Sequence, residues 1–181
     1  DLDADNPFGP DNRWGNAEAQ IYTNARANSF VDQSGALNIV AKYNASKNEW
    51  TSARLKTLGL RDFKYGYIEI RAKVPTEGGS WPAIWMLPSE IKYRDPRPGT
   101  VTYGNAWPAS GEIDIMEHAT NFPYWGGAGS AHGTVHAFSN SGLDHGYAGQ
   151  GMGGAYIADI NTAWHTYAIL WTADKIVLFY D

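Results

Sequence analysis

The chain has 181 residues, a formal net charge of -5 from 14 Lys+Arg against 19 Asp+Glu, and no cysteine. That length suits one domain, 1–181, with a substantial core. The missing cysteine removes disulfides, thiolate metal sites and thiol nucleophiles, and the basic residues form no run able to track a phosphate backbone, so nucleic acid is not an expected partner.

No apolar stretch approaches the length of a membrane span, and the acidic, turn-rich opening DLDADNPFGPDN is unlike a signal peptide. A soluble chain, with any export signal already removed, is expected. Aromatic residues are abundant: 8 Trp, 11 Tyr and 6 Phe make 14% of the chain, beside 20 Gly and 9 Pro. Many aromatics between frequent turn residues suggest short strands with one face in a core and the other carrying flat ring platforms, surfaces on which sugars stack.

In chain order, ALNIVAKY (36–43), RLKTLGL (54–60), YGYIEIRAKV (65–74), AIWML (83–87), GEIDIM (111–116), GTVHAF (133–138), HTYAILW (165–171) and KIVLFYD (175–181) read as strands. Turn clusters such as NASKNE, PTEGGS, RDPRPGT and GGAGS separate them. In YGYIEIRAKV, Tyr67, Glu69, Arg71 and Lys73 fall on one face and Ile68, Ile70, Ala72 and Val74 on the other, the pattern of a half-buried antiparallel strand. Many strands with almost no helical periodicity predict an all-β fold of two packed antiparallel sheets, a sandwich or jelly roll whose concave face forms a cleft.

The stretch WPASGEIDIMEHA (107–119) crowds three carboxylates into an apolar strand. Glu112 and Asp114 share a face by their even spacing, while Ile113 and Ile115 point to the core. Glu117 has the wrong parity and would be buried unpaired at high cost, unless a β-bulge near Ile115 and Met116 returns it to the open face. The doubled apolar pair at 115–116 is where such a bulge belongs.

Two carboxyl groups about 5–5.5 Å apart suit a retaining glycoside hydrolase, one as nucleophile and the other as acid and then base. Asp114 between them can share a proton with the nucleophile, and the crowding keeps one outer Glu protonated near neutral pH. A solvated acidic strand or a calcium site would use the same residues.

SGEIDIMEH resembles the active-site strand of glycoside hydrolase family 16, in its bulged branch that includes laminarinases. RWGNAEAQIYT (13–23), TSARLKT (51–57), FKYGYIEIRAKVPTEGGSWPAIWMLP (63–88), HGTVHAF (132–138) and WHTYAILWTADKIVLFYD (164–181) resemble further stretches of the family in its order. The resemblance implies Glu112 as nucleophile, Asp114 as its assistant and Glu117 as acid/base. It also implies that Asn16 and Arg54 hydrogen-bond sugar hydroxyls in the glycone half of the cleft, although a surface ion pair would also occupy Arg54. Trp107 is implied as a platform beside the cleaved bond.

Trp81 and Trp85 alternate and can flank the same groove. His132 and His136 share a strand face. No third ligand has suitable spacing for a metal site there, so His136 is expected as a cleft donor close to Glu117, with His118 and His165 structural. No cofactor is expected for catalysis.

The family pattern normally has an earlier strand and several later ones, which predicts either a fragment or a companion segment or chain that supplies them. A calcium site that relatives build from those terminal regions lies beyond this sequence. The segment SEIKYRDPRPGTVTYGNA (89–106) is expected to rim the cleft.

The resemblance thus implies an endo-acting, retaining hydrolase of β-1,3-glucan, with mixed-linkage glucan also within its reach. Hydrolysis or transglycosylation of agar or carrageenan would call for more basic residues than Arg54, and a glucan-recognition protein would not need all three carboxylates. A polymeric substrate implies a secreted or periplasmic location.

Overall fold

The computed structural model describes residues 18–89, 111–120, 129–138, 147–149 and 153–181. Among these there is no helix; all regular structure is β. Asn16, Trp107 and residues 90–106 of the expected rim lie outside the described residues. The chain divides into two compact units at the Arg61–Asp62 boundary.

In the first unit, β1 (Gln20–Tyr22), β5 (Glu49–Ser52) and β4 (Lys42–Asn44) form one sheet in the order β1-β5-β4, and β2 (Ser29–Val31) pairs with β3 (Leu37–Ile39) in another. The β1–β5 pair is parallel. ALNIVAKY, read as one strand, is therefore two, which belong to different sheets. Asn28 makes the break: it is 2% exposed, its side-chain amide donates to the Val40 carbonyl at 2.9 Å, and its own carbonyl accepts from Val40 N–H at 2.8 Å. RLKTLGL is not a strand. Its leucines stand at uneven spacing, Gly59 takes a φ of 75°, and Leu60 N–H closes a turn on the Thr57 carbonyl with Leu60 87% exposed.

The second unit holds β6 (Gly66–Ala72), β7 (Ala83–Met86), β8 (Glu112–Glu117), β9 (Ser130–Phe138), β10 (Tyr147–Gly149), β11 (Gly153–Tyr156), β12 (His165–Trp171) and β13 (Ile176–Tyr180). One sheet runs β10-β9-β8-β7 with β11 also on β9, and the other runs β13-β12-β6. The faces sort as the alternation predicts: Ile68, Ile70 and Ala72 of β6 turn inward with buried Val74, while Tyr67, Glu69, Arg71 and Lys73 are exposed.

Ile115 and Met116 of β8, Ala131 of β9 and Tyr167 and Ile169 of β12 form the centre of one core between these two sheets. Strand β11, GGAY, has no strand signature because glycine is a poor strand former. Gly154 is nevertheless required there, since a Cβ would come within 2.7 Å of the Ala131 carbonyl.

Candidate active site

β8 lies between β7 and β9, and its ladders on both sides slip at the same place. On β9 the antiparallel partners are Glu112 with His136, Asp114 with Thr134 and Glu117 with His132. On β7 they are Trp85 with Asp114, Ile84 with Met116 and Ala83 with Glu117. Three steps along β8 thus oppose two along each neighbour, which defines a β-bulge at Ile115–Met116.

Both bulge residues enter the core, at 2% and 1% exposure. Opposed residues in an antiparallel ladder share a face. Glu112, Asp114 and Glu117 therefore stand together with His132, Thr134, His136, Ala83 and Trp85.

This face is largely covered from water at two of its acids. Asp114 is 2% and Glu117 9% exposed. Glu117 Oε1 accepts the Trp81 indole N–H at 2.9 Å. Burial, reinforced by the charge of Asp114, raises the Glu117 pKa to about 7, against the opposing pull of the Trp81 bond and His136. Crowding, which the sequence pattern makes conspicuous, is the second cause; loss of water is the first.

Asp114 Oδ2 lies 2.9 Å from His136 Nε2. That bond raises the His136 pKa, with burial opposing it. His136, expected close to Glu117, makes its close contact with Asp114 and stands opposite Glu112, while its charge acts on Glu117 as well; His132 occupies the position opposite Glu117. The two histidines do share a face. Among the described residues, ligand atoms of Glu112, Asp114 and His136 converge within 4.8 Å of one another, close enough to hold a cation.

Trp81 precedes β7 rather than lying in it, yet its even spacing from Ala83 keeps it on the carboxylate side. Trp85 is half-buried opposite Asp114. His118, with the other parity, is fully buried, and its Nδ1–H donates to the Ser130 carbonyl at 2.8 Å. His165 is buried with Nε2 3.3 Å from Asp159 Oδ1. A half-protonated carboxyl group beside a second, buried one that pairs with an imidazole can deliver and recover a proton near neutral pH.

The sequence pattern of glycosyl hydrolases family 16 matches residues 15–181. The chain belongs to that family. Among family 16 relatives, the beta-glucanase of Rhodothermus marinus is 41% identical over 170 residues, covering 93% of this chain and 53% of that protein. Glucan endo-1,3-beta-glucosidase A1 of Niallia circulans is 37% identical, over 93% of this chain and 23% of that protein. The chain thus spans about half or less of the length of these two relatives.

The crystallised laminarinase of Rhodothermus marinus superposes with a TM-score of 0.73 at 38% identity, over 93% of this chain and 61% of that one. That of Flavobacterium sp. UMI-01 gives 0.70 at 37% identity, over 93% and 62%. The family 16 jelly roll is the fold.

In the first unit, Arg54 Nη2 lies 3.2 Å from Glu18 Oε1 and donates to the Tyr22 hydroxyl at 3.2 Å, its guanidinium over the Tyr22 ring. Tyr22 in turn donates to Glu18 Oε2 at 2.5 Å. The ion pair left open for Arg54 exists and is half-buried rather than superficial, with side chains 21% and 12% exposed. Glu18, Gln20 and Tyr22 escaped the sequence reading, although their even spacing in AEAQIYT marks one strand face.

Proposed function

We propose that this chain is the catalytic region of an endo-acting, retaining β-glucan hydrolase that cuts β-1,3 linkages and admits mixed-linkage glucan. Glu112 is the nucleophile on the anomeric carbon, Glu117 the acid that protonates the leaving oxygen and then the base that activates water, and Asp114 the neighbour that balances their protons. The bulge carries this reading, because it sets Glu117 on the same face as Glu112 and in a setting that holds a proton near pH 7.

His136 orients Asp114 through their 2.9 Å contact. Trp81 holds the Glu117 carboxyl by one oxygen, and its half-exposed ring is available to a sugar. By family resemblance Arg54, which binds Glu18 and Tyr22, hydrogen-bonds sugar hydroxyls. By the same resemblance Asn16 also hydrogen-bonds sugar hydroxyls, and Trp107 is a platform beside the cleaved bond.

The relatives support the substrate class: one is called a beta-glucanase, one a glucan endo-1,3-beta-glucosidase, and another, from Rhizobium meliloti, an endo-1,3-1,4-beta-glycanase, 32% identical over 180 residues. A variant of a non-specific endo-β-1,3(4)-glucanase, similar to this chain at 30% identity and TM-score 0.72, was crystallised with a glucan oligosaccharide at its active site. A polymer too large to enter a cell places the action outside it.

The test is reducing-end release from laminarin, mixed-linkage glucan and agarose in parallel, with the first anomer formed read by NMR. Release from laminarin with retention is expected. Inversion would remove Glu112 as nucleophile, and release from agarose alone would remove the substrate.

A further inference from the structure

The bulge that brings Glu117 to the carboxylate face has a cost of its own. Ile115 has no Cα partner in either ladder of β8, so its peptide groups lose part of the sheet's bonding inside a core where they have no water. Its carbonyl accepts the Tyr180 hydroxyl at 2.9 Å. Tyr180 ends β13 and belongs to the other sheet, so this bond crosses the core.

The passage is open because of Gly133, which sits on β9 opposite the bulge. A Cβ there would overlap the Tyr180 hydroxyl and Leu178 Cδ1, and would lie 3.1 Å from the Asp114 carbonyl oxygen. We propose that Tyr180 is a positioning residue: through the gap left by Gly133 it holds the Ile115 carbonyl, keeps the bulge in register, and so keeps Glu117 beside Glu112. A slip of one residue would send Glu117 into the core.

Burial, with the nearby charges of Glu117 and Asp114, raises the Tyr180 pKa, so the hydroxyl keeps the proton it donates. The same ring pair contains a control. Tyr167 packs edge-on against Tyr180 at 6.0 Å and is fully buried, but its hydroxyl has no hydrogen-bond partner among the described residues. A tyrosine needed only for packing would behave as Tyr167 does.

The inference rests on the proposed role of Glu117, and one experiment separates the two. Tyr180→Phe and Tyr167→Phe are made in the whole protein, and amide hydrogen exchange across 112–118 is measured together with kcat, KM and the pH profile on the glucan cleaved. Tyr180→Phe should speed exchange at Met116 and Glu117 at least about tenfold. It should also lower kcat about tenfold with KM nearly unchanged, as expected for a slightly misplaced acid. Tyr167→Phe should do neither.

Gly133→Ala should reproduce the Tyr180→Phe effect, and the double variant should fall short of the sum because both break one bond. Equal exchange in the two phenylalanine variants would overturn the clamp. Faster exchange with kcat intact would overturn the positioning role. Should the unaltered protein cleave no glucan, the functional reading fails, while the exchange comparison still decides whether Tyr180 holds the bulge.

Discussion

Strands β6 and β8 carry nearly the same alternation, GYIEIRA and EIDIME, and use it in opposite ways. In β6 the polar face is open: Tyr67 and Glu69 are exposed, bonded to each other at 2.7 Å. In β8 the corresponding face lies between β7 and β9, beside Trp81, Trp85 and His136, with Asp114 and Glu117 buried and Glu112 half-buried. A carboxylate in water costs the fold almost nothing, whereas one deprived of water changes its proton affinity. Alternating charge and isoleucine therefore say where a strand's faces are; what packs beside the polar face decides whether its charges are solvent or chemistry.

The contrast breaks most sharply at the acids. Glu112→Gln should lower kcat by roughly 10⁴-fold or more, and Glu117→Gln by roughly 10²–10⁴-fold, with glucan affinity retained in both, measured by steady-state kinetics beside equilibrium binding. Turnover that survives Glu112→Gln would move the nucleophile elsewhere.

The next effect is on stability. Glu117 rises from 4.5 to about 7 on folding, so the native state binds its proton more tightly than the unfolded chain does. The associated stability is present below about pH 4.5 and is lost as pH climbs to about 7, above which the ionised group costs on the order of 3 kcal/mol. Glu117→Gln should remove that slope. Denaturant unfolding at pH 5 and pH 8 should show the two proteins converge at the lower pH and the variant gain at the higher. A parallel decline in both would assign the slope to other groups.

Smaller again is Trp81→Phe. The indole bond favours the charged form of Glu117, so its loss should move the alkaline limb of the kcat profile to higher pH while kcat falls by less than about tenfold. A shift to lower pH would contradict the assignment of that limb to Glu117. Smallest is Glu69→Gln on β6, for which kcat should be unchanged and stability should move by no more than about 0.5 kcal/mol. A large loss there would erase the distinction between the two strands.

Where the sequence misled, the reason is local. RLKTLGL has the composition of a strand, but Leu55, Leu58 and Leu60 never settle into a two-residue period and Gly59 takes a left-handed turn. ALNIVAKY is continuous in hydrophobicity and discontinuous in space, because Asn28, twelve residues before Val40, bonds that residue at the corner. GGAY looks like a loop and is a strand, since the demand there is for closeness to β9 rather than for side-chain packing.

The sequence by itself determined the all-β class, the inward and outward faces of β6, and even the bulge, because these depend on parity, and parity is a property of order along the chain. Only the tertiary structure decided which neighbour each acid meets. His136 belongs to Asp114 and His132 stands across from Glu117, a matter of which β9 residue falls opposite which β8 residue once the bulge has shifted the count. It also decided that burial outranks crowding at Glu117, and that a tyrosine from the other sheet reaches the bulge. Desolvation and cross-core contacts depend on three-dimensional proximity between segments far apart in sequence, and no local pattern records them.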